Sequence, residues 1–156
     1  MTKYEELLDL AEREGVLVFE DYDFSGTRIH GLYCDGAIAL SNDLRTTAEK
    51  VGILCEELGH HYTTVGNILD QSKPENRKQE RTARLRGYRM GFGLQDIIDA
   101  YKYGCRNRYE IAEHAGVTES YVQEAVDTYK SVYGAGVRHG DYMIYFEPLG
   151  VLEIPE

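Results

Sequence analysis

The segment TTAEKVGILCEELGHH, residues 46–61, contains the pattern that decides both the fold and the chemistry expected of this chain. Thr46 and Glu49 stand in capping-box spacing, which predicts that a helix begins here. Apolar residues then recur at the i, i+3, i+4 and i+7 spacing of a helix face packed on a core. They are Val51, Leu54, Cys55 and Leu58.

The opposite side of this helix is polar, with Glu56, Glu57 and His60 within an arc of about 100°. The metallopeptidase motif His-Glu-x-x-His supplies two metal ligands one turn apart, with a general base beside the first. Aligned on Glu57 and His60, this chain reads Glu-Glu-x-x-His. The pattern predicts a metal site in which Glu56 and His60 are ligands and Glu57 takes a proton from the attacking water.

A glutamate in place of the first histidine changes the metal that is expected. The Glu56 carboxylate keeps an oxygen ligand but adds negative charge, which weakens the preference for zinc and admits manganese or iron. The alternative register, with Glu57 and His61 as ligands, places Leu58 where the base belongs and fails chemically. A solvated helix face without metal stays open as the simpler interpretation.

A third ligand is expected from a second helix that begins near Pro74 and ends at about Met90. Glu80 is the candidate, because a carboxylate from a neighbouring helix completes a three-ligand site with an open position for water. Asp70 and Glu75 are alternatives. Around Glu80 the helix has small residues that let another helix come close, namely Asn76, Ala83 and Gly87.

A small sheet is expected before the motif helix. Asp35-Gly36 lies between two apolar segments, residues 28–34 and 37–40, and is a strong hairpin signal. Residues 16–19 form a further short apolar segment, ended by a turn at 21–26. We therefore expect an α+β fold in which a small antiparallel sheet packs on helices. An edge strand beside the site would let an extended substrate add by backbone pairing.

The rest of the chain is expected to form a helical extension, residues 105–156, separate from a main domain at residues 1–104. A short amphipathic helix at 94–101, closed by Gly104, ends the main domain. Ala112, Gly116 and Val122 occupy the small, turn-glycine and apolar positions of a helix-turn-helix. An aromatic strand at 141–146 is expected to return to the main body, since an isolated strand leaves backbone groups unpaired.

DNA binding is not expected of this extension. Three basic residues face five acidic ones between Arg106 and Gly134, which is a poor surface for phosphates. On the predicted second helix, Arg77, Arg81 and Arg84 form a basic stripe. Because the chain has a surplus of acid, intramolecular pairing is the preferred interpretation of that stripe, with nucleic-acid binding as the alternative.

Composition bounds the remaining possibilities. The chain has 156 residues, 42% of them hydrophobic, and a formal net charge of -10, which argues against broad attraction to nucleic acid or anionic membranes. No run approaches the roughly 20 apolar residues that cross a bilayer. Three cysteines without a C-x-x-C pair suggest reduced thiols. The first residues lack the form of a signal peptide, so a cytoplasmic location is expected.

The helix containing Glu57-Leu58-Gly59-His60-His61, the preceding hairpin and the downstream Glu80-x-x-Ala83 together resemble the ImmA/IrrE family of metallo-endopeptidases. The likeness covers most of the chain and is clearest from residue 31 to about 90. It implies a zincin-like fold, a zinc ion, and cleavage of a repressor protein that silences a phage or an integrative element. By position, it makes Glu57 the general base and His60 and Glu80 ligands.

The departure from the family falls at Glu56, where the usual pattern has histidine. It leaves an alternative function open, in which a catalytically weakened peptidase fold acts by binding a regulator protein. His61 adjoins the motif as a possible auxiliary ligand, although it points about 100° away from His60. His61 or Tyr62 is also a candidate for stabilising the oxyanion.

Overall fold

A computed structural model describes residues 1–63 and 74–155, with side chains from residue 77 onward in the second range. It divides into two compact units, Met1–Gly91 and Phe92–Glu156. The boundary therefore lies earlier than residue 104, where the sequence placed it. The helix at Leu94–Tyr103 belongs to the second unit because it packs on strands of that unit.

The first unit contains three helices and three strands among its described residues. They are α1 (Lys3–Arg13), β1 (Leu17–Tyr22), β2 (Gly31–Cys34), β3 (Ala37–Ser41), α2 (Thr47–Thr63) and α3 (Pro74–Gly91). The predicted start of α2 is confirmed, because the Glu49 N–H donates to Thr46 Oγ1 and the Thr46 N–H donates to Glu49 Oε1, both at 3.1 Å. The predicted bounds of α3 are also close to those observed.

The sheet of the first unit has the order β1-β3-β2. The predicted hairpin is confirmed: β2 and β3 are antiparallel, and Asp35 and Gly36 between them have φ of 49° and 81°, as a type I′ turn requires. The expectation of an entirely antiparallel sheet is wrong, because β1 pairs parallel with β3. The long connection after β1 leads to β2, which forms the opposite edge of the sheet. The hairpin then places β3 in the centre, between β1 and β2.

The core of this unit lies between α2 and the sheet. The predicted apolar face of α2 is confirmed, since Val51, Leu54, Cys55 and Leu58 have no exposed surface. Ile38 and Leu40 of β3 are equally buried. Burial of each such aliphatic side chain stabilises the fold by roughly 1.5–3 kcal/mol. The result is a rigid support that fixes the rotation of α2 and therefore the direction of its polar residues.

The second unit combines three helices with a three-stranded antiparallel sheet of order β4-β5-β6. The elements are α4 (Leu94–Tyr103), α5 (Arg108–Ala115), α6 (Glu119–Tyr133), β4 (Gly136–His139), β5 (Tyr142–Phe146) and β6 (Leu149–Glu153). The predicted aromatic strand is β5, but it does not need the first unit to complete its hydrogen bonding. It pairs with β4 and β6 of its own unit, in two tight hairpins.

Both units mix helices with small sheets, so the predicted α+β class is confirmed. Over the residues that the structure describes, no helix combines the length and apolar character needed to cross a membrane. The longest helix of the first unit, α3, contains many charged residues.

Candidate metal centre

Helices α2 and α3 approach each other at two glycines. A side chain at Gly59 would collide with the Ala83 backbone carbonyl, and a Cβ at Gly87 would lie 2.9 Å from the carbonyl oxygen of Cys55. Backbones this close leave no room for side chains between them. The predicted close approach at Ala83 and Gly87 is therefore present, whereas the side chain of Asn76 lies outside the described residues.

This close packing brings together the three predicted ligands, Glu56, His60 and Glu80. One ligand atom from each lies within 4.8 Å of the other two. His60 Nε2 and Glu80 Oε1 are 3.6 Å apart, with only 14% and 17% of their side chains exposed. Glu56 is exposed to solvent. The cluster therefore combines two largely buried groups, His60 and Glu80, with one exposed carboxylate, Glu56.

These distances fit a bound metal ion. Ligands about 2.1 Å from a tetrahedral ion lie about 3.4 Å from each other, close to the His60–Glu80 separation. Two carboxylates balance the charge of a divalent cation, and one imidazole adds a nitrogen ligand. The Glu56–His60–Glu80 cluster could thus hold a metal ion. Of the rival third ligands, Asp70 and the side chain of Glu75 lie outside the described residues.

Glu57, the predicted base, is buried rather than solvated. Only 8% of its surface is exposed, and burial, followed by repulsion from the Glu56 carboxylate, raises its pKa to about 8. Glu80 adds to that repulsion, and a hydrogen bond from the Tyr33 backbone opposes it. Glu57 is thus an acid poised to titrate near neutral pH, as a general base or acid requires.

Tyr33 in β2 is a site residue that the sequence reasoning missed. Its backbone N–H faces the Glu57 carboxylate, and its hydroxyl lies 2.9 Å from Nδ1 of His61. The sequence could have predicted this position. The two-residue Asp35-Gly36 turn fixes the register of the hairpin, which places Tyr33 opposite Ile38 on the sheet face that meets the helix.

The two auxiliary candidates, His61 and Tyr62, have contacts with residues outside the ligand cluster. His61 lies one turn after Glu57 and contacts the hydroxyl and the ring of Tyr33. Tyr62 lies under the guanidinium of Arg86, 4.1 Å from the ring centre. Burial and the Glu14 carboxylate raise the pKa of Tyr62. His61 is not part of the metal-ligand cluster in the part of the chain that the structure describes.

Arg84 forms an ion pair with a member of the cluster. Its Nε lies 3.6 Å from Glu80 Oε1, the same oxygen that faces His60. The intramolecular pairing predicted for the basic stripe of α3 is therefore confirmed for Arg84. The site combines three carboxylates, one imidazole and one guanidinium.

Comparison with known proteins adds no relative: no protein-family model, no curated protein and no solved structure matches the chain.

Proposed function

We propose that this chain is a metal-dependent endopeptidase of the ImmA/IrrE type, whose first unit is a zincin-like domain. Glu56, His60 and Glu80 hold zinc or another divalent cation, and Glu57 is the general base. The observation that supports this most directly is the convergence of the three ligand atoms within 4.8 Å, beside a buried carboxyl group. The resemblance of the motif helix to that family supplies the reaction class.

In the proposed reaction, the metal ion and the protein have different roles. When bound, a divalent ion would polarise a peptide carbonyl and lower the pKa of a water molecule. The charges of Glu56 and Glu80 act on the Glu57 carboxyl group, so Glu57 lies beside the cluster, where it would accept a proton from the attacking water and return it to the leaving amine. Pairing of Glu56 and Glu80 with a cation would offset the repulsion that, after burial, raises the pKa of Glu57. A lower pKa favours the ionised form of Glu57, which is the form that acts as a base.

We expect the substrate to bind along the exposed edge of the sheet. β2 is an edge strand in the order β1-β3-β2, and its Tyr33 lies against Glu57. An extended peptide that added to this edge would lie alongside the base. The substrate that the resemblance implies is a repressor of a phage or an integrative element. In the second unit, the pair α5 and α6, joined through the left-handed Gly116, is our candidate for a helix-turn-helix-like segment that contacts the substrate protein.

Metal analysis tests the centre itself. Protein purified without chelator is expected to contain close to one equivalent of a divalent metal by elemental analysis. His60→Ala should lose most of that metal, because one of three ligands is removed. His30→Ala is the matched control, since His30 is exposed and pairs with Asp43. Metal-free wild-type protein, or equal metal in His60→Ala, would contradict the assignment.

Turnover is tested separately. Glu57→Gln keeps the size of the side chain but cannot accept a proton. It is therefore expected to retain metal and to lose cleavage of a co-expressed repressor by at least about a hundredfold, the usual contribution of a general base. Cleavage at the wild-type rate would remove Glu57 from the mechanism.

The alternative function is binding of a regulator without cleavage. The observation in its favour is the pKa of Glu57, which is near 8 while the neighbouring carboxylates carry their negative charge. A protein that binds no cation keeps Glu57 largely protonated at neutral pH and cannot use it as a base. This alternative predicts that Glu57→Gln relieves repression as well as wild type does, and that the repressor stays intact on a gel.

A further inference from the structure

We propose that Arg84 is a built-in competitor for the metal, so that its guanidinium lowers the affinity of the site for divalent cations. This inference rests on the proposed metal centre. In this inference, Arg84 shifts the equilibrium between the metal-free and the metal-bound form of the protein. The argument depends on which oxygen Arg84 faces and on the charges around it.

Arg84 and His60 face the same atom. Arg84 Nε and His60 Nε2 each lie 3.6 Å from Oε1 of Glu80, one from the following turn of α3 and the other from α2. A metal ion held between His60 and Glu80 would need that oxygen. Because a carboxylate oxygen that ligates a small divalent cation has less negative charge to offer a guanidinium, the two partners compete for Glu80.

The charge balance of the site makes the competition asymmetric. Without metal, the carboxylates of Glu56 and Glu80 lie close together, with ligand oxygens within 4.8 Å of each other, and their negative charges repel. The Arg84 guanidinium then stabilises the metal-free form by offsetting part of the charge on Glu80. With a divalent ion in place the same guanidinium is a cation beside a cation, and it is repelled.

The exposure of Arg84 sets the size of the effect. Its side chain is 59% exposed, so water and salt screen much of its field. A unit charge about 6 Å from a divalent ion in a water-like dielectric is worth roughly a tenfold change in affinity. The side chain can also move into solvent when a metal ion binds. Arg84 therefore weakens metal binding but does not prevent it.

The test is titration of metal-free protein with Zn²⁺ and, separately, with Mn²⁺, by calorimetry at low ionic strength. Arg84→Gln is expected to bind each ion about tenfold more tightly than wild type, and Arg84→Lys about as wild type does because it keeps the charge. Arg81→Gln is the matched control. It removes the same charge from the same helix, but among the described side chains Glu80 pairs with Arg84 and not with Arg81, which is exposed. High salt should reduce the difference.

Thermal unfolding gives a second, independent measurement. In metal-free protein Arg84→Gln should melt below wild type, since Glu80 loses a compensating charge. With saturating metal the order should reverse, because tighter binding to the folded state adds stability. Unchanged or weaker binding by Arg84→Gln overturns the inference while leaving the metal centre intact. Absence of binding in wild type overturns the proposed function, and the inference with it.

Discussion

Glu57 shows how far the chemistry of one residue depends on its surroundings. The helical wheel places it beside Glu56 and His60, on the side of α2 that a lone helix would give to water. In the folded chain β2 lies against Glu57 but leaves Glu56 exposed, so Glu57 is buried and receives a hydrogen bond from the Tyr33 backbone. Motif spacing identified Glu57 as the candidate base, but it could not predict the burial of Glu57, because burial depends on a strand distant in sequence.

The raised pKa of Glu57 predicts how stability varies with pH in metal-free protein. The folded pKa of about 8 lies above the ordinary value of 4.5, so folding favours the protonated form. The stability contributed by this group is complete below pH 4.5 and is lost as the pH rises through about 8. Relative to Glu57→Gln, which does not titrate, wild type should lose up to a few kcal/mol over that interval.

Urea unfolding with chelator present, at several pH values across the interval, measures this difference. Saturation with metal should make the wild-type curve less steep, because a cation on Glu56 and Glu80 offsets the repulsion that, after burial, raises the pKa of Glu57. A wild-type minus Glu57→Gln difference that is constant with pH would show that Glu57 is not buried as described. The result does not depend on whether the protein cleaves a substrate.

At the scale of elements, the contact between α2 and α3 determines whether a site exists. Glu56 and His60 come from one helix and Glu80 from the other, and the helices touch at Gly59 and Gly87. Small residues on α3 were visible in the sequence, and they correctly predicted a close neighbour. The sequence did not reveal Gly59 as the partner position, since a glycine inside a helix also suits flexibility or a bend.

Gly59→Ala is expected to destabilise the protein and weaken metal binding together. The added methyl group meets the Ala83 carbonyl, so α3 must shift, and overpacking of this kind costs roughly 1–3 kcal/mol. The shift separates Glu80 from His60. Melting temperature and metal affinity should both fall, although alanine is intrinsically the better helix former.

Gly150→Ala is the control for this substitution. It makes the same chemical change at a strand position where an added Cβ meets nothing within 4 Å. Its metal affinity should equal that of wild type. If Gly59→Ala instead raised the melting temperature and kept the affinity, the close helix contact would not be what positions Glu80.

At the scale of the molecule, local patterns predicted more than long-range pairing did. The capped helix α2, the hairpin and the extent of α3 follow from turn and capping chemistry, which acts over a few residues. The parallel pairing of β1 and the sheet formed by β4, β5 and β6 depend on which distant strands meet. The boundary between the units lies at Gly91 and not at residue 104 for the same reason, since α4 packs on strands that follow it in sequence.

The three cysteines offer a test of the fold as a whole, because each has a different burial. Cys34 is exposed, Cys55 is fully buried, and Cys105 is intermediate, with its pKa raised by burial and by Glu110. Since the thiolate is the reactive form, labelling near pH 8 should modify Cys34 first and Cys105 more slowly. Cys55 should react only when the first unit opens.

Metal should change the labelling of Cys55 selectively. A cation that binds only the folded site lowers the open population by the factor 1 + [metal]/Kd, so Cys55 should react about a hundredfold more slowly at a hundred times Kd. Cys34 should keep its rate, because it is exposed without any opening. Mass spectrometry after timed labelling measures each site. In His60→Ala the protection of Cys55 should disappear, since a three-ligand centre on α2 and α3 is then incomplete; protection that survives would place the bound metal elsewhere.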